Sequence, residues 1–345
     1  VPHTFPVVTK TRSIAVTAAL ALGMAAALAA PAAAAPVGGD QGGFTFAVIG
    51  DIPYGAAQIA RFPAVVDQIN ADPQVQLVDH LGDIKDGSSQ CTDQYFAQVR
   101  AQFDRFDDPL VYTPGDNEWT DCHRVNNGGY DPLERLARVR QVFFDRPGKT
   151  LGQHSVGVDS QASRGYPENV SYTRAGVTFA ALHVVGSNND LATWTGRPGP
   201  TDAQVAEEKA RTAATLDLIN ATFDAAAGQK AVVLLMQADM FDPTVPNPQP
   251  AGYSAFQPIV QTIAARTAAL GKPVFLFNGD SHIYQSDQPL APGSTWLGFY
   301  GASAAPNLTR VTVDGSTGVN DYLRVTLKPA DPRVLTWEKI PFTAH

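Results

Sequence analysis

Four apolar runs in this chain end in the same dipeptide: FTFAVIG-Asp51, LVDHLG-Asp83, LVYTPG-Asp116 and VFLFNG-Asp280. A short apolar run bounded by a turn residue reads as a buried strand. Glycine lets the backbone leave the strand sharply and bares the side chain that follows. In α/β sheets ligands bind beyond the carboxyl ends of the strands, and all four carboxylates stand there. Placement counts for more than number, because a chain with 29 glycines, rich in Asp, yields some Gly-Asp pairs by chance. If the four strands are neighbours, four carboxylates converge on one small volume and repel unless they are protonated or neutralised by cations. A carboxylate cluster with neutral donors beside it is a metal site. The alternative is four independent turn aspartates along a sheet edge.

Around these runs the chain alternates strand and helix patterns. Strands are expected at 44–50, 75–81, 110–113, 177–185, 232–236 and 274–277. Helices are expected at 59–70, 93–106, 131–144, 201–227 and 254–270. Asp131 followed by Pro132 is a helix-opening pair, and Thr201 with Asp202 opens the longest helix. From 296 to 336 only short β-like runs are read, with no helix, which suggests a second sheet packed on the first. With 44% hydrophobic and 17% charged residues the chain can bury a sizeable core. The expected architecture is a single α/β domain covering 36–345, because the alternation never pauses at a linker. A net charge of −8 without a Lys/Arg run argues against nucleic acid or an anionic membrane as partner, and a monomer is expected. Dinucleotide-binding, P-loop, α/β-hydrolase and zincin motifs are absent from the sequence.

The first 35 residues read as an export signal: Lys10 and Arg12, an apolar stretch at 14–30, then Pro31 and Ala32–Ala35. The remainder is expected to be secreted or otherwise extracytoplasmic, with no membrane span after cleavage. Export sets how Cys91 and Cys122 are read. An even pair in an oxidising compartment is first a disulfide. A pair of metal ligands would need further Cys or His in a recognised spacing. Cys91 follows Asp83 and Cys122 follows Asp116, so both lie in loops leaving the same sheet edge.

The motifs resemble those of the calcineurin-like metallophosphoesterases, whose blocks run D-x-H, G-D, G-N-H-[DE], a lone His after a strand, and G-H-x-H. Here they read Asp51-Ile52-Pro53-Tyr54, Gly82-Asp83-Ile84-Lys85-Asp86-Gly87, Gly115-Asp116-Asn117-Glu118, Met236-Gln237-Ala238-Asp239 and Gly279-Asp280-Ser281-His282. The resemblance implies a two-sheet αββα sandwich with a metal site at strand ends, hydrolysing small-molecule phosphate esters. Carried over by position, one metal would take Asp51, Asp83 and His282, with Pro53 offering nothing. The other would take Asp83, Asp116, Gln237 and Asp280, with Asp239 as a substitute for Gln237 if that loop is shifted. Three imidazole positions have become Pro, Gln and Asp, and an amide has become a carboxylate. Oxygen-rich ligands favour Mg²⁺, Mn²⁺ or Ca²⁺ over Zn²⁺, with one or two ions bound.

The family's proton donor is the His of G-N-H-[DE], and Asn117 stands there. Asn donates a hydrogen bond to a phosphoryl oxygen but no proton to a leaving group. His123 in the same loop is the candidate replacement acid, against the alternative of a plain surface histidine. Arg124 is a candidate bidentate phosphate ligand. Lys85 and Tyr54 are further candidate substrate contacts, an exposed loop lysine being the alternative for Lys85. Two functions follow: an exported metal-dependent phosphoesterase, or a non-catalytic descendant binding a cation and a phosphorylated or sugar ligand.

Overall fold

A computed structural model describes residues 43–343. The expected export signal, 1–35, lies outside the described residues. In chain order the strands are β1 (Phe44–Ile49), β2 (Val78–His80), β3 (Leu110–Tyr112), β4 (Asp159–Gln161), β5 (Tyr166–Arg174), β6 (Val177–Ala181), β7 (Ala231–Leu235), β8 (Val274–Asn278), β9 (Gln285–Asp287), β10 (Leu308–Thr312), β11 (Asp321–Leu327) and β12 (Leu335–Pro341). One sheet has the order β12-β11-β1-β2-β3, the other β4-β5-β6-β7-β8-β10-β9. The strands β1, β2 and β3 are parallel, as are β6, β7, β8 and β10.

The two-residue period of β1 shows how the layers form. Phe46 and Val48 point to one side and pack with Phe179, Phe277, Val311 and Leu323 between the sheets. Ala47 and Ile49 point to the other side, against Phe62, Val66, Phe96 and Phe103 of the covering helices. The second sheet repeats the pattern, with Leu234 and Leu276 facing Ile219, Phe223, Ile259 and Ile263. Helices therefore cover both outer faces of two packed sheets, giving an αββα sandwich. Phe46 is fully buried with its ring 5.5 Å from that of Phe179, a burial worth about 1.5–3 kcal/mol.

The helix-opening residues act as read. Asp131 accepts hydrogen bonds from the backbone N–H groups of Leu133 and Glu134 and opens the helix Pro132–Phe143. Thr201 and Gln204 form a reciprocal capping box at the start of Asp202–Ala225. Two expectations are corrected. The tail strands do not form the second sheet: β9 and β10 join β4 to β8 in one sheet, and β11 and β12 pair beside β1 in the other. The run beginning at Trp296 is not a strand: Ser294 caps a helix, Thr295–Tyr300, whose Trp296, Phe299 and Tyr300 share one face. A short continuous apolar run carries no period that separates strand from helix. The strand β5 is not read in the sequence, because Pro167 interrupts the run and Glu168 and Asn169 are polar residues whose burial depends on partners far along the chain. Among the described residues no helix is long and apolar enough to cross a membrane.

Register sets up the site. Ile49 lies opposite His80, and His80 opposite Tyr112, so β1, β2 and β3 end at one edge. Leu235 lies opposite Phe277, so β7 and β8 end together as well.

Candidate metal centre

Asp51, Asp83 and Asp116 follow β1, β2 and β3, and Gln237 and Asp280 follow β7 and β8. Asp51, Asp83 and Asp280 have φ of 52°, 54° and 74°, left-handed conformations that a short polar side chain tolerates better than a bulky one. The glycines of the Gly-Asp pairs have a steric reason. A Cβ at Gly115 would run into the carboxylate of Asp83, and one at Gly279 into that of Asp51. At these two strand ends the bare glycine leaves room for an aspartate from another strand end to lie across it.

The four aspartates meet. One oxygen or nitrogen from each of Asp51, Asp83 and His282 falls within 4.8 Å of the others, and the same holds for Asp83, Asp116 and Asp280. Asp83 is shared. The backbone N–H of Asp280 donates to Asp51 Oδ1 at 3.1 Å, tying the two sheets together at the site. Tyr54 Oη donates to Asp83 Oδ2 at 2.8 Å and lies 3.4 Å from both Asp51 Oδ1 and His282 Nε2. The amide nitrogen of Gln237 lies 3.2 Å from Asp83 Oδ2, 3.0 Å from Asp116 Oδ1 and 3.1 Å from Asp280 Oδ1.

Charge is concentrated here with little compensation. Among the described residues no Lys or Arg forms an ion pair with these four aspartates; of the basic side chains the imidazole of His282 alone reaches them, its Nε2 3.3 Å from Asp51 Oδ1. Burial, then the charges of Asp116 and Asp51, push Asp83 and Asp280 well above the usual carboxylate range. Burial and the neighbouring carboxylates likewise raise the Tyr54 phenol. Burial pulls His282 down, but the hydrogen bond and charge of Asp51 lift it above its ordinary value. Buried carboxylates without cationic partners fit a hard divalent ion, which would relieve the repulsion between them. Asp51, Asp83 and His282 would hold it, with Asp116 and Asp280 beyond the shared Asp83.

Lys85, Asn117, His123 and Asp239 are placed differently from expectation, whereas the two cysteines pair as expected. Lys85 is fully buried, and its Nζ donates to the backbone carbonyls of Asp86 at 2.8 Å and Asn117 at 2.9 Å. It braces two loops rather than facing a phosphate. Asn117 spends its amide on Asp83 Oδ2 and on Tyr54 Oη, each at 2.8 Å, so its protons hold ligands rather than point to a phosphoryl oxygen. His123 Nδ1 accepts from the backbone N–H of Thr195 at 2.9 Å, and the ring stacks on Trp194. Burial, then the charge of Arg124, lowers its pKa, which leaves a neutral imidazole. Arg124 pairs with Asp121 at 2.7 Å and keeps a side chain 42% exposed on the rim. Asp239 is not a ligand substitute: its carboxylate pairs with Arg310 at 2.6 Å and accepts from Ser281 at 2.8 Å. Cys91 and Cys122 form a disulfide with Cα atoms 5.9 Å apart, and both sulfurs lie 3.7 Å from the carbonyl of Asn117.

Two further residues contribute, Ser187 and Asp121. Ser187 Oγ lies 2.8 Å from Asp116 Oδ2 and 3.1 Å from Asp121 Oδ1, linking the two carboxylates. Burial and the charge of Asp116 push Asp121 up to about 7. Ser187 belongs to a left-handed turn, Ser187–Asp190, with φ of 53°, 54°, 53° and 73°. Buried Arg211 holds that turn through Asn189 Oδ1 and the Asn189 carbonyl. No local pattern in Gly-Ser-Asn-Asn-Asp announces this geometry, because the arginine that fixes it comes from a distant helix. Beside the cluster a cleft of about 260 Å³ is lined by Ser187, Ala192, Asp239, Tyr253 and Asp280 among others.

Residues 44–181 match the model of the calcineurin-like phosphoesterase family. The resemblance carried by the first three motif blocks holds over that span. No curated protein matches the chain. Among solved structures, GAP50, the anchor in the inner membrane complex of Plasmodium, aligns at 8% identity, covering 87% of this chain and 89% of its own, with a TM-score of 0.44. Phosphopantetheinyl hydrolase from Mycobacterium tuberculosis aligns at 12% identity, covering 79% of this chain and 89% of its own, with a TM-score of 0.43.

Proposed function

We propose that this chain is an exported, metal-dependent phosphoesterase acting on small phosphate esters. The observation that carries the reading is the sharing of Asp83 between two groups of potential ligands at the carboxyl ends of the strands. The family match over 44–181 supports the reaction class. A divalent ion bound there supplies Lewis-acid polarisation of a phosphoryl oxygen and lowers the pKa of a water molecule.

The chain's own residues prepare the site. Asn117 fixes Asp83, and Ser187 restrains Asp116. Arg124 places a guanidinium on the rim, suited to a phosphate oxygen. The cleft beside Asp280 and Ser187 has room for a small ester rather than a polymer. With His123 neutral and turned to Thr195, substrates whose leaving group needs no proton are favoured. The disulfide supports an oxidising, extracytoplasmic location. Removal of 1–35 as an export signal is part of the same reading.

The test is hydrolysis of a panel of aryl and alkyl phosphates by the purified, chelator-stripped protein, with Mg²⁺, Mn²⁺, Ca²⁺ or Zn²⁺ returned singly. Hydrolysis restored by a hard divalent ion supports the reading. Absence of metal-dependent turnover on every ester, at full folding, overturns it.

A further inference from the structure

The two halves of the centre differ in what fills them. The side-chain Oε1 of Gln237 accepts the backbone N–H of Gly186 at 2.6 Å. A backbone N–H only donates, so the side-chain oxygen must face Gly186 and the amide nitrogen must face away. That nitrogen is the atom within 3.2 Å of oxygens from Asp83, Asp116 and Asp280. Its lone pair is delocalised, so it donates protons and does not ligate a cation. It stands at the point from which all three carboxylates are reached, the place a cation held by them would take. Turning the amide over would set two donors against each other at Gly186 and bring an oxygen against three carboxylates. Gly186 itself has little freedom, since it opens the left-handed turn that Arg211 holds.

At the other half the intruding group is a ligand type. Tyr54 Oη lies 2.8 Å from Asp83 Oδ2 and 3.4 Å from both Asp51 Oδ1 and His282 Nε2. A phenol oxygen both donates and accepts, so it can turn from a carboxylate to a cation without leaving its position. It belongs to the residue after Pro53, the position where the sequence offers no imidazole.

We infer, resting on the phosphoesterase reading above, that the centre takes a single divalent cation, held by Asp51, Tyr54, Asp83 and His282. The Gln237 amide occupies the place of a second. The loss of imidazoles is therefore uneven in its consequences: a tyrosine oxygen replaces one ligand, and a neutral donor replaces one ion.

The test counts ions. Chelator-stripped full chain is titrated with Mn²⁺ by calorimetry, and bound metal is measured by elemental analysis. The wild type is expected to bind one ion per chain, and Gln237→His two. Gln237→Ala, which only vacates the space, is the control should the imidazole disturb folding, and is also expected to bind two. Tyr54→Phe should keep the count at one and weaken binding by at least about tenfold. Two ions in the wild type would overturn the inference and leave the phosphoesterase reading standing. One ion in both Gln237 variants, or unchanged affinity in Tyr54→Phe, would overturn it as well. No bound ion in any folded form would overturn both.

Discussion

Asn117 holds both oxygens of Asp83, its side-chain amide donating to Oδ2 at 2.8 Å and its backbone N–H to Oδ1 at 3.1 Å. The backbone of Asn117 is itself pinned, its carbonyl accepting from buried Lys85 at 2.9 Å. The carboxylate shared by both ligand groups is thus oriented before any ion arrives. Asp83→Asn should abolish metal binding and metal-dependent hydrolysis, because it removes the charge that both groups share. Asn117→Ala leaves every ligand in place and keeps the backbone N–H bond but releases Oδ2 of Asp83 from the side-chain amide, and metal affinity should fall by about 10–100-fold. Calorimetry on the two variants separates these outcomes. Full metal content in Asp83→Asn would refute the assignment at its centre.

For His123 the structure favours a loop-fastening role. Its ring joins the Asp116–Arg124 loop to Thr195 and Trp194. His123→Ala should therefore lower turnover by the same factor on alkyl phosphates and on activated aryl phosphates. A general acid would instead show a loss of about 10²–10⁴-fold confined to the poor leaving groups. The ratio of the two losses decides between them.

The Gly-Asp strand ends made the site's location legible in the sequence, and the bare glycines explain why. Gly115 is the surface on which Asp83 lies, and Gly279 the one on which Asp51 lies. The alternation of apolar runs with amphipathic helices pointed to one α/β domain, and the αββα layering came from the resemblance of the motif blocks. What the sequence hid was the direction in which polar side chains point. Lys85, Asn117 and Gln237 sit in the motif blocks, but each is turned by a partner distant in sequence: the Asn117 carbonyl, Asp83 and the Gly186 N–H. Those partners are long-range, and residue type alone carries no sign of them. β5 was hidden for the same reason, since Glu168 is buried only because Arg140 and His183 meet it.

The disulfide should matter more to the loop it closes than to the sandwich. Linking residues 31 apart stabilises by about 3–4 kcal/mol on the chain-entropy model, and strain subtracts from that. Both sulfurs lie against the Asn117 carbonyl, so their loss loosens the residue that orients Asp83. The Cys91→Ala/Cys122→Ala double variant is expected to lose metal affinity at temperatures where its circular dichroism still matches the wild type. Metal affinity unchanged up to the melting transition would show that the bridge acts on stability alone.

Acid sensitivity should come in part from a pair that forms no hydrogen bond with the proposed metal ligands. Glu168 of β5 is fully buried and accepts from Arg140 Nε at 3.0 Å and from His183 Nδ1 at 2.9 Å. Burial alone would raise its pKa, but the His183 hydrogen bond and the charge of Arg140 outweigh it and hold Glu168 at about 2. His183 is also fully buried, packs on Trp119 and gives its carbonyl to Arg211. Burial, against the Glu168 hydrogen bond, lowers it below its ordinary 6.5. The signs agree. Glu168 is depressed in the folded state, so its contribution is full above its ordinary 4.5 and is lost as pH falls toward 2. His183 is kept neutral when folded and is protonated first in the unfolded chain, so stability already falls below 6.5. The Glu168 shift corresponds to about 3 kcal/mol across its window. Urea midpoints of the wild type should decline from pH 6.5 to 2. Glu168→Gln should be less stable at pH 7, with a flatter decline below 4.5, and comparing the two cancels the titration of the proposed metal-ligand aspartates. Parallel curves for the two proteins below 4.5 would show that Glu168 does not titrate in this range.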